Sequence, residues 1–237
     1  IEPGMLGRIC PTEEGGEEAW DDVTGKRLNV EGVRKARDEE IFEFRKHGVY
    51  IKVPIEDCYS ATGKAPLKIR WIDINKGDEQ NEEHRSRLVA KEIKRDKRDD
   101  LFAATPPLEA LKILLSLAVT EGVGYKRGER ERGMKLEFID VRRAYLQAQA
   151  RREVYVELPE EDQEEGMCGK LVKSMYGTRD AAQNWEEEYC GFMEQLGFRR
   201  GIGSPCVFYH EDRDIRAVIH GDDFTLLADE KHLDWFK

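Results

Sequence analysis

Residues 215–228 read Ile-Arg-Ala-Val-Ile-His-Gly-Asp-Asp-Phe-Thr-Leu-Leu-Ala, two apolar runs parted by Gly221-Asp222-Asp223. Apolar residues on both sides predict two strands, and glycine at 221 supplies the positive φ that a tight hairpin turn needs. This reading puts two carboxylates at the tip of a buried hairpin. Two buried acids without a cation would repel each other and lose hydration, a penalty that a divalent metal removes. Asp-Asp alone says little, because the chain also carries Asp21-Asp22 and Asp99-Asp100. Those two pairs lie in polar segments, where solvated surface acids are the simplest expectation.

A third acid poses the same problem. Glu137-Phe138-Ile139-Asp140-Val141 is a short apolar strand ending in a carboxylate. Asp140 either caps a following helix or joins Asp222 and Asp223 in a three-carboxylate metal site. Magnesium is held by a few carboxylates together with phosphate oxygens. Two such ions activate a hydroxyl nucleophile and stabilise the leaving oxygen of an in-line displacement. Polymerases and nucleases share that chemistry, so the carboxylates do not choose between them.

The rest of the chain divides by periodicity. Residues 1–30 are rich in glycine and acid without an apolar period, and a disordered leader or linker is expected over 1–34. A helix is predicted from Glu31 to Lys46, stopped by Gly48, then a strand at 49–53 and a turn-rich stretch around Gly63 to Pro66. Lys68–Asn75 and Arg87–Lys94 read as a basic β-hairpin around Lys76-Gly77-Asp78. Leu108–Val119 has apolar residues at 108, 111, 114, 115, 118 and 119, a helical period with one buried face. Val154–Leu158 reads as a strand. Ala181–Leu196 reads as a long helix with Asp180 at its N-cap and Gly197 at its stop. The stripe that includes Trp185 and Tyr189 on that helix is assigned to core packing. Strands are expected at 206–210, 215–219 and 224–228.

Composition sets outer bounds. The chain of 237 residues is 39% hydrophobic and 37% charged, with no apolar run of about 18 residues, so no membrane partner is expected. No charged-then-apolar leader opens it, and no targeting signal is visible. The five cysteines are scattered without a Cys-x-x-Cys pair and read as free thiols of a reducing compartment. The net charge of −10 argues against a nucleic-acid partner, but the distribution reverses that inference. Residues 85–98 carry seven bases against two acids and residues 125–152 nine against four, while 1–24 and 153–165 carry seven acids each. Two basic stretches are thus available for a phosphate backbone, although solvated helix faces and loops would explain either one as well.

Four collinear blocks carry a resemblance. They are Arg85-Ser86-Arg87-Leu88-Val89-Ala90-Lys91, the stretch LFAATPPLEALKILL at 101–115, FIDVRRAYL at 138–146, and KLVKSMYGTRDAAQNW at 170–185, followed by HGDD at 220–223. Together they resemble the reverse transcriptase domain of Ty1/copia-type retrotransposon polyproteins, over roughly residues 35–237. The resemblance implies an α+β right-hand polymerase palm with partial fingers, the thumb absent or truncated, and an RNA-directed DNA polymerase. It implies two Mg²⁺ ions, with Mn²⁺ as a substitute, on Asp140, Asp222 and Asp223. Tyr145 would be the aromatic gate beneath the incoming sugar, and the main chain at Arg143 and Ala144 would face the triphosphate. Arg87 and Lys91 would contact the β- and γ-phosphates; Tyr176, Gly177 and Gln183 would line the nucleotide and template pocket. The implied partners are an RNA template, a DNA primer, dNTPs, and the integrase and ribonuclease H parts of an intact polyprotein, in the cytoplasm or in virus-like particles.

Departures from the family pattern leave alternatives open. Thr178, Asp180 and Ala182 replace the usual Leu, Gln and Pro, and Asp180 brings an acid near the expected substrate. A degenerate, non-catalytic remnant accommodates those changes. The Gly-Asp-Asp sequence also occurs in RNA-dependent RNA polymerases, although Tyr145 favours deoxynucleotides. The chain opens at Ile1 and ends fourteen residues after Asp223, so an N-terminal part, the thumb and the ribonuclease H region are expected to lie outside it.

Overall fold

The structure, a computed structural model, describes residues 5–13, 15–78, 80–93, 103–129 and 132–237. The described elements in chain order begin with β1 (Cys10–Pro11), β2 (Glu17–Trp20), β3 (Arg27–Leu28), α1 (Val30–His47), β4 (Tyr50–Pro54) and α2 (Ile55–Thr62). Next come β5 (Ile69–Asn75), β6 (His84–Ala90), α3 (Leu108–Ala118), β7 (Lys135–Asp140), α4 (Ala144–Gln147), β8 (Tyr155–Val156) and β9 (Met167–Leu171). The chain closes with α5 (Ala181–Gln195), β10 (Arg199–Arg200), β11 (Val207–His210), β12 (Ile215–His220), β13 (Asp223–Ala228) and α6 (Glu230–Phe236). It forms two compact units, Ile1–Arg98 with Ala148–Ala181, and Asp99–Gln147 with Ala182–Lys237. Among the described residues no helix is long and apolar enough to cross a membrane. Lys94, Arg95, Lys97, Arg98, Arg130 and the pair Asp99-Asp100 fall outside the described residues.

Where a disordered leader was expected over 1–34, β1, β2 and β3 form an antiparallel sheet whose Ala19 and Leu28 are buried against Val33 of α1. Two acids of this segment, Asp21 and Asp22, serve as acceptors rather than solvated charges. Asp21 is 2% exposed; its carboxylate accepts the N–H groups of Val23, Thr24 and Asn75 at 2.9, 2.7 and 2.7 Å. Asp22 accepts the Asp73 N–H at 2.8 Å and pairs with Arg70. The expectation of surface acids at 21–22 therefore fails: the pair fastens the N-terminal sheet to β5.

α1 starts at the Asn29 cap, whose side chain accepts the Gly32 N–H at 2.9 Å, and ends at Gly48 with φ 60°. It therefore runs through the boundary drawn at residues 34–35. The β5–β6 hairpin pairs Ile69 with Ala90 through to Asn75 with His84. Its second strand begins earlier than read from sequence, because Asn75 Oδ1 holds the N–H groups of Gly77 and Glu83 and so closes the loop at residue 84. Burial of Ser86, Leu88 and Ala90 leaves Arg85 and Arg87 on the other face of the strand. Beneath the hairpin Arg37, 4% exposed, pairs with buried Asp73 at 2.7 Å and lies 5.1 Å over Trp71, and Ser86 donates to the same Asp73.

The second unit is a five-stranded antiparallel sheet in the order β10-β11-β12-β13-β7. Alternation assigns its faces. Leu136, Val207, Val218 and Leu227 lie on one face with Leu114 of α3. Phe208 and Phe224 lie on the other, where the Tyr189 ring of α5 meets both edge-on at 6.2 and 5.9 Å. β13 is buried on both sides, which is why residues 224–228 read as a continuous apolar run. The face of α3 differs from the expected one. Leu114 and Ala118 face the sheet as expected, but Ala110 and Leu117 join them there, while Leu108 and Leu115 are exposed.

Candidate active site

The hairpin turn forms as its sequence indicates. His220 pairs with Asp223 across the β12–β13 ladder, leaving a two-residue turn in which Gly221 has φ 65°. β13 also pairs with β7, and its register sets Asp223 directly opposite Asp140. Directly opposed residues share a face, so His220, Asp223 and Asp140 form one row at the end of the sheet. Two acids separated by 83 positions in sequence thereby become cross-strand neighbours.

The expectation of a buried tip is corrected. The strands are buried, but Asp140, Asp222 and Asp223 are all exposed. Desolvation is therefore not the force that calls for a cation here. What the register does impose is repulsion: like charges directly opposite on adjacent strands are unfavourable, a cost that a cation between them would offset. Among the described residues no three His, Cys, Asp or Glu side chains gather into a ready-made metal cage. Magnesium does not need one, since it keeps waters and shares carboxylates with phosphate. A paired, open set of hard oxygen donors fits that ion. Beside the row opens a cavity of about 530 Å³, lined by Asp140, His220 and Asp223 together with Leu108, Phe138 and Thr225.

The turn is anchored from two directions. The Val141 N–H donates to the Asp222 carbonyl at 2.9 Å. The indole N–H of Trp185 donates to the Gly221 carbonyl at 2.8 Å. Trp185 is buried, as expected of core packing, but its polar edge serves the turn, which the apolar stripe of α5 does not reveal. A buried tryptophan needs a partner for its N–H, and that requirement was the available signal.

Downstream of Asp140 the chain bends sharply. Arg143 has φ 52°, one of two non-glycine residues with positive φ among those described. This strained conformation costs on the order of 1–2 kcal/mol. It carries the backbone from β7 into the short α4, where the Leu146 N–H returns to the Arg143 carbonyl at 2.9 Å. Ala144 is buried and Tyr145 half-buried on this turn. The strain falls on one of the two residues whose main chain was expected to face a triphosphate.

The other expected nucleotide residues divide between the units. Asp140, Arg143, Ala144, Tyr145, Gln183, Asp222 and Asp223 belong to the second unit, and Arg87, Lys91, Tyr176 and Gly177 to the first. Within the first, the Arg87 guanidinium lies 5.1 Å over the Tyr176 ring. The Ala90 N–H donates to the Tyr176 carbonyl at 2.8 Å. Gly177 has φ 84°, and a Cβ there would come within 2.0 Å of the Ala90 carbonyl oxygen. Only glycine fits that approach. Asp180 is 6% exposed and accepts from Arg152 at 2.8 Å. Arg152 also binds Glu92, whose carboxylate accepts the Arg179 N–H. The acid that departs from the usual glutamine is thus paired with a half-buried base.

Comparison with known proteins bears on this arrangement. Residues 59–237 match the family described as reverse transcriptase (RNA-dependent DNA polymerase). The chain is 28% identical over 210 residues to the retrovirus-related Pol polyprotein from transposon TNT 1-94 of Nicotiana tabacum, covering 84% of this chain and 15% of that polyprotein. It is 31% identical over 94 residues to the transposon Ty1-MR1 Gag-Pol polyprotein of Saccharomyces cerevisiae, 38% of this chain and 5% of that one. The chain therefore spans a small fraction of the relatives it matches.

Proposed function

Because this chain belongs to the reverse transcriptase family of copia-type retrotransposons, we propose that it forms the palm and partial fingers of an RNA-directed DNA polymerase. The primer 3′-OH attacks the α-phosphate of a dNTP opposite an RNA template, and pyrophosphate leaves. One observation carries the reading: the β13–β7 register that sets Asp223 beside Asp140 next to the turn carrying Asp222. These three carboxylates would hold two Mg²⁺ ions, or Mn²⁺ in their place. Bound there, the ions supply the Lewis acidity for nucleotidyl transfer.

The chain's own residues do the remaining work by positioning. Tyr145, five residues beyond Asp140, packs beneath the incoming sugar and leaves no room for a 2′-OH. The bent backbone at Arg143 and Ala144 presents N–H groups to the triphosphate. Arg87 and Lys91 neutralise the β- and γ-phosphates, and Tyr176, Gly177 and Gln183 frame the nucleotide and template base. In an intact polyprotein, integrase and ribonuclease H segments would accompany this one, in the cytoplasm or in virus-like particles.

The test is primer extension on poly(rA)/oligo(dT) with dTTP and Mg²⁺, run beside Asp222→Ala. Metal-dependent synthesis by the parent alone is the expected result. A folded parent that makes no product would overturn the proposal in favour of a remnant. Equal use of rUTP and dTTP would overturn it in favour of an RNA-dependent RNA polymerase.

A further inference from the structure

We propose that Trp185 is a positioning residue for the carboxylate turn, with its indole N–H as the working group. This rests on the reading of Asp140, Asp222 and Asp223 as a nucleotidyl-transfer site. The turn has two consecutive carbonyls, Gly221 and Asp222, and each has its own tether. Val141, just past β7, takes the Asp222 carbonyl, and Trp185 takes the Gly221 carbonyl.

The two tethers differ in kind. The β7 tether comes from the strand that carries Asp140, so it ties one acid-bearing segment to the other. The Trp185 tether comes from α5, an element without any of the three acids. Trp185 is in turn fixed by the Tyr189 ring, edge-on at 5.7 Å, and Tyr189 abuts Phe224, the residue after Asp223, at 5.9 Å. One aromatic chain thus grips β13 behind the turn while the indole N–H holds the turn itself. Gly221 needs that hold. It is exposed, has no side chain to pack, and sits at φ 65°, so its peptide plane is the softest point beside Asp222. A hydrogen bond from a buried ring fixes that plane, and the orientation of the Asp222 carboxylate follows from it.

Trp185→Phe removes the donor and keeps an aromatic ring against Tyr189. Two measurements test the proposal. The first is amide hydrogen exchange followed by mass spectrometry across residues 215–228 in the whole chain. Exchange at Gly221 and Asp222 is expected to accelerate at least severalfold in the variant, with the ladder amides of residues 215–219 and 224–228 unchanged. The second is single-nucleotide extension, where kcat is expected to fall roughly tenfold with the dNTP KM and primer affinity retained. Unchanged exchange in the turn overturns the proposal. So does faster exchange spread along α5 and β13 with kcat and KM damaged together, the mark of a ring that only packs. If the turn alone loosens while the parent chain polymerises nothing, the tether stands and the polymerase reading falls.

Discussion

The chain displays two described Asp-Asp pairs, and they have opposite fates. Asp21-Asp22 lies in the first unit, in a glycine-rich acidic segment with no periodicity, and its carboxylates are buried and fully engaged by backbone N–H groups and Arg70. Asp222-Asp223 lies in the second unit between apolar strands, and its carboxylates are exposed at the end of a sheet. Flanking hydrophobicity argues for the reverse in each case. The difference teaches that neighbours in sequence bury the backbone, whereas the partners that receive a side chain decide the fate of its charge. A carboxylate whose lone pairs are filled by the fold is a structural bolt. A carboxylate that the fold exposes beside another is left open to a partner from outside the chain.

Neutralising each pair and reading both stability and activity separates the two roles. Asp222→Ala is expected to reduce nucleotide incorporation by about a thousandfold or more while the denaturant midpoint stays at the parent value. An Asp222→Ala chain that loses stability instead would show that the exposed pair is structural after all. Asp21→Asn has the next largest effect and the opposite character. It weakens an acceptor for three backbone donors, one of them the Asn75 N–H of β5, and is expected to cost about 3 kcal/mol of unfolding free energy. Incorporation per folded molecule, measured by active-site titration, should not change.

A smaller effect sharpens the functional side. Tyr145→Ala is expected to relax discrimination against ribonucleotides by about tenfold, read as the ratio of kcat/KM for dTTP and rUTP. An unchanged ratio would remove Tyr145 from the gate and leave it as a half-buried aromatic of α4.

The comparison also marks where the sequence was legible. The second unit could be read closely: the Gly221 turn, the strands around it, Asp140 at a strand end, and α5 with its stop at Gly197. In each of these the determining residues lie within one or two elements. What was hidden depends on distant partners. Asp21 finds the Asn75 N–H, 54 positions away, and Trp185 finds the Gly221 carbonyl, 36 positions away. No local pattern encodes either. The face of α3 was misread because periodicity locates a stripe, whereas the sheet beneath selects which of two adjoining stripes it accepts. The left-handed Arg143 was hidden for a further reason, since strain at a non-glycine residue is imposed by the surroundings. Asp180 shows the converse: it looked like an intrusive charge until Arg152 was seen to hold it.

The smallest expected effect divides the buried pair itself. At Asp21 burial pushes the carboxyl up, but the N–H donors of Asn75, Thr24 and Val23 outweigh it and hold the group below its usual value. At Asp22 burial pushes up as well, and there it prevails over the Asp73 N–H and Arg70, so this group sits above its usual value. The signs follow by linkage. A carboxyl whose folded-state value is depressed contributes stability that is present above its unfolded value and is lost as pH falls through the folded one. A carboxyl whose folded-state value is raised contributes stability that is complete below its unfolded value and is lost as pH rises through the folded one. The penalty of Asp21→Asn should therefore shrink between neutral pH and about pH 3, while that of Asp22→Asn should grow over the same interval. Urea unfolding of the parent and both variants at the two pH values reads the four differences. Parallel trends would mean that the two carboxylates share one environment, and that the backbone donors around Asp21 do not set it apart from its neighbour.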